Sequence, residues 1–259
     1  MPIVTLTSDF GLADHYVAMI KGALLTQRKD LTIVDISHNI KNYDIVQGAF
    51  ILKNAYSSFP EGSIHIVSIN TDYSPDGCFL AIRHNNHYFI GPDNGIFSLM
   101  FGSLKQDMYE LDYEVDEDFP IKYLFAKAVG HIFGGMPFNE IGIPVDAIEE
   151  RITLLAVTTP NQIRGSVIYV DNYENVIVNI SQELFERVAQ GRNFTITFKR
   201  HQPLKKLSDN YSDAPVGETL GFFNSSGLLE IAINMGKASS LLGLQLDDMI
   251  QVDFSEKAS

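Results

Sequence analysis

Ile3-Val-Thr-Leu-Thr-Ser-Asp-Phe-Gly11 decides how the first half of the chain is read. Ile3 to Thr7 is a short run of aliphatic and β-branched residues, the signature of a buried strand. It stops at Ser8-Asp9-Phe10-Gly11, and helical spacing follows at once. Tyr16, Met19, Ile20, Ala23 and Leu24 share a face, and Asp14 precedes them as an N-cap. Working outward, Leu31 to Ile36 is a second strand. Asp44 opens a second helix with Ile45, Ala49, Leu52 and Tyr56 on one side. After the turn Phe59-Pro60-Glu61-Gly62 comes a third strand, Ile64 to Ile69. Phe79 to Arg83 and His87 to Ile90 form a hairpin around Asn85-Asn86. Ile96 to Phe101 begins a helix, and Tyr123 to Phe133 is another, closed by Gly134-Gly135. Strands alternating with helices predict an α/β domain with a largely parallel sheet over residues 1–155.

The texture then changes. Arg164 to Val170, Val176 to Ile180, Phe194 to Phe198, Thr219 to Phe223, Leu228 to Asn234 and Met249 to Phe254 are short β-rich runs separated by turn residues. Only Ser181 to Ala189 reads as helical. This pattern predicts a smaller all-β, barrel-like domain over residues 156–259.

With 19 Lys and Arg against 32 Asp and Glu, the net charge of −13 argues against nucleic acid or an anionic membrane surface as partner. The start of the chain, Met1-Pro-Ile-Val-Thr-Leu6, has no basic stretch ahead of a long apolar core, and no apolar run approaches a membrane span. A cytoplasmic location is expected. One cysteine, Cys78, makes an internal disulfide impossible and reads either as packing or as a nucleophile.

Ligands of parallel sheets bind beyond the carboxyl ends of the strands. Asp9, His38 and the Asn70-Thr71-Asp72 stretch fall there. Asp9 suits two sugar hydroxyls or simply caps a turn. His38 is an acid–base candidate or a hydrogen-bonded core histidine. No glycine-rich nucleotide loop, phosphate loop, nucleophile elbow or His/Cys metal spacing is present. Asp171-Asn-Tyr-Glu-Asn175 and Asn224-Ser-Ser-Gly227 read by composition as polar turns.

Taken together and in order, several stretches resemble the S-adenosylmethionine hydroxide adenosyltransferases, adenosine-forming hydrolases related to the fluorinase and chlorinase. The matching segments are Thr5 to Gly11 with Asp14 to Val17, Val34 to His38, Phe59 to Gly62, Gly91 to Gly95, Asp171 to Asn175, and Asn224 to Gly227 with Leu229 to Asn234. The resemblance implies a homotrimer that takes S-adenosylmethionine or adenosine, with no cofactor or metal. It implies that Asp9 holds the ribose hydroxyls, and that Asp14 and Asp171 sit near the methionine amine. Ser225 and Ser226 approach the carboxylate. Asn175, Asn234 and the backbone beside it read the adenine, with Tyr173 and Tyr211 stacking in the pocket.

The chain departs from the family where water is activated. Hydrolases of the family have an Asp after the third strand, an Arg soon after it, and a His in a Phe-His-Gly-Arg-Asp segment. Those positions fall here on Asn70, on Gly77 or Cys78, and on Pro120. Asn70 cannot act as a carboxylate base. Asp72, two residues on, is the replacement candidate, and Asp76 and Lys122 are weaker ones. Three outcomes follow: hydrolysis of S-adenosylmethionine to adenosine and methionine, binding without chemistry, or a halide-using relative.

Overall fold

The computed structural model describes residues 2–71, 77–102, 107–112, 119–152, 154–199 and 201–255. The chain divides into two compact units, Met1–Ile152 and Thr153–Ser259. The first contains, in order, β1 (Ile3–Ser8), α1 (Tyr16–Gln27), β2 (Thr32–Ser37), α2 (Ile45–Ala55), β3 (Ile64–Ser68), β4 (Phe79–His84), β5 (His87–Pro92), α3 (Ile96–Phe101), β6 (Met108–Glu110), α4 (Pro120–Phe133) and β7 (Ile143–Pro144). The sheet order is β2-β1-β3-β5-β4-β6-β7. The pairs β1·β2, β1·β3 and β3·β5 are parallel, whereas β4·β5, β4·β6 and β6·β7 are antiparallel. The sheet is therefore mixed, and the expectation of a largely parallel sheet is corrected for one half of it. The cause is the Asn85-Asn86 turn. Both residues take positive φ (49° and 61°), the two-residue geometry that reverses a strand onto its neighbour without a crossover helix.

Side chains along the central strands alternate between two cores. Val4, Leu6, Ile64, Ile66 and Ile90 pack with Ile20 and Leu24 of α1 and with Leu124, Phe125 and Val129 of α4. Val67, Leu80, Ile82 and Phe89 pack on the other face with Ile45, Ala49 and Leu52 of α2 and Ile96 and Phe97 of α3. Asp44 caps α2 as its sequence indicates, with Oδ1 accepting from Gln47 N–H at 2.9 Å. Asp14 does not cap α1. His15 occupies the N-cap position without a side-chain bond, because the helix begins one residue later than capping by Asp14 requires.

The second unit contains β8 (Val157–Thr159), β9 (Gln162–Val170), β10 (Val176–Ser181), α5 (Gln182–Ala189), β11 (Phe194–Phe198), β12 (Thr219–Phe223), β13 (Leu228–Ile233), α6 (Ala238–Leu242) and β14 (Met249–Phe254). Its strands are antiparallel along β11-β14-β9-β10-β13-β12, with β8 beside β9. The long β9 pairs with β14 through residues 162–166 and with β10 through residues 167–170, so the sheet curls into a half-barrel. Leu204 pairs with Ile196 on one edge strand, and Ser208 N–H reaches Gly221 O on the other. The concave side is filled by Ile163, Val178, Ile180, Leu229, Ile231, Ile250 and Val252. Ser181 caps α5, whose Phe185 meets Phe194, Phe223 and Phe254 near edge-on.

His65 on β3 is completely buried. Its Nδ1 is 2.8 Å from Thr5 Oγ1 and its Nε2 3.1 Å from His87 Nδ1. Burial, reinforced by His87, pushes its pKa down from 6.5 to about 3. The folded protein thus holds this ring neutral where the unfolded chain protonates it. The unfolded state binds the extra proton, so stability falls as pH drops from about 6.5 towards 3. At pH 5 the loss from His65 is about 2 kcal/mol relative to pH 7.5. Urea unfolding at the two pH values should show this slope in the wild type and a flatter one in His65→Leu. Equal slopes would place the acid sensitivity elsewhere.

Candidate functional site

Asp9 follows β1 and is 7% exposed. Its Oδ2 accepts two backbone hydrogen bonds, from Tyr43 N–H at 2.9 Å and Asn70 N–H at 3.2 Å. The first donor lies in the loop after β2 and the second in the loop after β3. Asn42 Nδ2 donates to the Asp9 carbonyl at 3.0 Å, and Gly11, at φ +70°, sends its N–H to His38 O at 2.8 Å. One side chain therefore ties together the carboxyl ends of three neighbouring parallel strands. Among the described residues nothing donates to Oδ1, so the carboxylate keeps an acceptor.

Asn70 is exposed and takes φ +47°, a conformation asparagine adopts more readily than most residues. The Asn94 amide bonds the Ile69 carbonyl at 2.9 Å. The turn thus gives Asn70 a structural reason independent of chemistry. Asp72 and Asp76 lie outside the described residues, and Asp14 is exposed just ahead of α1. Pro120 opens α4, where a fixed φ and a missing N–H are tolerated. Cys78 is half-buried; burial, with Glu110 and Asp93 nearby, pushes its thiol up to about 12, which disfavours the thiolate that a nucleophile needs. His38 is buried, with Nδ1 2.7 Å from Ser8 Oγ. Its Nε2 stands 3.0 Å from Asp35 Oδ1 in a contact whose angle makes no hydrogen bond.

The second unit holds a cleft of about 990 Å³. Tyr173, Asn175, Tyr211 and Asn234 all line it, together with Met235 and Lys237. Four of the expected residues therefore meet around one space. Asp171 stands behind them: Oδ1 accepts from Tyr173 N–H (2.9 Å) and Asn175 N–H (2.7 Å), and Oδ2 from Asn175 Nδ2 (3.2 Å). Asn175 Nδ2 also donates to Tyr211 Oη at 3.1 Å, and that hydroxyl donates to Glu230 Oε1 at 2.7 Å. Asn224 Nδ2 completes the chain on Glu230 Oε2 at 3.1 Å. Burial first, then the bond to Glu230, raises the Tyr211 pKa well above its usual value, so the phenol stays a donor. Asn175 has spent its amide hydrogens, which leaves its carbonyl oxygen, an acceptor, for a ligand. Asn234 Nδ2 is held by Ala214 O at 2.8 Å.

Ser225 and Ser226 are exposed on the β12–β13 turn, outside the cleft lining. Asn224 shapes that turn by accepting from Ser226 N–H at 3.0 Å. Sequence reasoning missed Glu230, which is 5% exposed and anchors Tyr211. A lone glutamate in an apolar strand was the available signal. It also missed Glu174 and Lys237, paired at 2.7 Å, whose partnership crosses 63 residues and leaves no local pattern. Asp171 and Glu230 stand behind the lining residues, their carboxylates taken up by hydrogen bonds to Tyr173, Asn175, Tyr211 and Asn224. Among the described residues no group of His, Cys, Asp and Glu could hold a metal ion, and no helix is long and apolar enough to cross a membrane.

Comparison with known proteins bears on the same two units. Residues 4–142 match the model of the SAM hydroxide adenosyltransferase N-terminal domain, and residues 165–251 that of the SAM hydroxide adenosyltransferase C-terminal domain. The chain belongs to the SAM hydroxide adenosyltransferase family. It is 29% identical over 264 residues to the (R)-S-adenosyl-L-methionine hydrolase of Methanocaldococcus jannaschii, covering 97% of this chain and 96% of that protein. It is 24% identical over 294 residues to the fluorinase of Nocardia brasiliensis, covering 97% and 96%. A crystal structure of an uncharacterized conserved protein from Thermotoga maritima superposes with a TM-score of 0.84 at 25% identity, over 97% of this chain and 99% of that one.

The Asp9 geometry makes a direct prediction. Asp9→Ala removes a charged acceptor from two backbone amides and should lower the free energy of unfolding by about 2–4 kcal/mol. Asp9→Asn keeps an oxygen acceptor and should lose less than half as much. Denaturant unfolding at neutral pH checks this, and an unchanged midpoint for Asp9→Ala would reduce the clasp to an incidental contact.

Proposed function

We propose that the protein hydrolyses S-adenosylmethionine to adenosine and methionine by attack of water at C5′. The observation that carries this reading is the cleft in which Tyr173, Asn175, Tyr211 and Asn234 converge in front of Asp171. Its support is the relatives named as hydrolases that match the chain nearly end to end. The two aromatic rings offer faces for a flat base, and the free Asn175 oxygen offers an acceptor for an exocyclic amine. The remaining Asp9 oxygen suits a ribose diol. The protein would act as a homotrimer, with Asp14, Ser225 and Ser226 towards the methionine end of the ligand.

The chemistry asks little of an acid. The water oxygen bonds C5′ as the C5′–S bond breaks. Both electrons of that bond go to sulfur, methionine departs as a neutral thioether, and the attacking water gives up one proton. The protein must align the water with the C–S axis and help that proton leave. No cofactor, nucleic acid or membrane enters this scheme. Asp72 is the proposed base, with Asn70 aligning the water.

Incubation with S-adenosylmethionine followed by chromatography should give adenosine and methionine in equal amounts without added halide. Asp72→Asn should cut turnover by roughly 10²–10⁴-fold, the range for a positioned base, with adenosine binding retained. Light scattering should give three times the chain mass. A second reading, ligand binding without turnover, is favoured by Asn70 and Pro120 at positions where family hydrolases carry Asp and His. Tight adenosine binding with no product would establish that reading and remove the first.

A further inference from the structure

Glu174 sits between two residues that line the cleft, Tyr173 and Asn175, and takes φ +64°. Glutamate has no local preference for this left-handed conformation, and such a residue persists where its surroundings over-determine it. The surroundings are specific. Glu174 Oε1 lies 2.7 Å from Lys237 Nζ. Its Oε2 accepts from Ser240 N–H at 3.1 Å and from the Ser240 hydroxyl. Its backbone carbonyl accepts from Ser239 N–H at 2.9 Å, and its own N–H bonds the Asp171 carbonyl at 3.0 Å.

These bonds join the two walls of the cleft. One wall is the β9–β10 turn, with Asn172, Tyr173 and Asn175. The other is the segment from Ile233 to Leu241, which supplies Met235, Lys237 and Ser240 to the lining. Met235 in that second wall is also at positive φ, +55°, and is 87% exposed. Ile233, Ala238 and Leu242 anchor this wall in the core, whereas Lys237 and Ser240 are exposed and are tied to the opposite wall through Glu174. Lys237 is the cation among the lining residues, and Glu174 occupies its ammonium.

From this we infer that Glu174 is a positioning residue: it latches the Lys237–Ser240 segment to the β9–β10 turn and so sets the width and charge of the nucleoside cleft. The inference rests on the nucleoside reading of that cleft. Preformed walls spare a ligand the cost of ordering them, so the latch acts on affinity more than on fold stability. It also keeps Lys237 from facing a sulfonium as an unpaired like charge.

The test uses the full-length protein, adenosine titrated by calorimetry, and melting without ligand. Glu174→Gly suits the left-handed backbone but opens the latch. It should weaken adenosine about tenfold while the ligand-free melting temperature moves by no more than about 3 °C. Ser240→Ala removes one latch bond without touching Glu174 and should weaken adenosine by about two- to fourfold. Glu174→Gln keeps an acceptor for Ser240 but frees the Lys237 charge. It should therefore penalise S-adenosylmethionine, a cation, more than adenosine. Unchanged adenosine affinity in Glu174→Gly overturns the latch. So does a loss confined to a Glu174→Gly protein that also melts early, with Ser240→Ala unaffected. A wild type that takes no adenosine overturns the nucleoside reading itself, an outcome distinct from both.

Discussion

One carboxylate oxygen organises the N-terminal unit. Asp9 Oδ2 takes an amide hydrogen from each of two loops, those following β2 and β3, while Asp9 itself ends β1. Ordering loop backbone costs about 1–2 kcal/mol per residue, and hydrogen bonds to a charged acceptor return about 1.5–3 kcal/mol each. The clasp is thus on the scale needed to hold Tyr43 and Asn70 in place. It also settles an apparent choice. A turn-capping aspartate and a ligand-facing aspartate are compatible here, because the turn uses one oxygen and leaves the other.

The C-terminal unit solves its problem with a chain of polar groups. Asn175 donates to Tyr211, Tyr211 to Glu230, and Asn224 closes on Glu230 from the far side. Each buried carboxylate oxygen of Glu230 has a donor, the condition under which such a group is tolerated in a core. The network fixes which hydrogen-bonding groups remain to be offered. Asn175 is left with its carbonyl oxygen and Tyr211 with a raised pKa that keeps it a donor.

Much of this was legible in the chain. The β1 strand, the Asp44 cap, the Asn85-Asn86 reversal and the six β-runs of the second unit follow from local chemistry, because apolar period and turn preference act over a few residues. The expectation of a largely parallel sheet holds for one half of it. A hairpin inside an alternating β/α pattern adds its strands antiparallel, and strand order is a tertiary property. The Asp14 cap failed by one residue, since helix ends are set by backbone geometry as much as by side chains. Tyr173, Asn175, Tyr211 and Asn234, which line one cleft, were named through a resemblance to a family. Glu230, Glu174 and Lys237 were not, because their partners lie tens of residues away and a charged residue in a turn or strand looks ordinary until the chain folds.

The state of Cys78 bears on how the protein meets oxidants. It is the only cysteine in the chain, and its thiol is held near 12 by burial and by Glu110 and Asp93. Peroxide and disulfide exchange both act through the thiolate, which is scarce at any physiological pH for such a group. A thiol so placed stays protonated in neutral water, and an oxidant that acts through a thiolate meets little of one at Cys78.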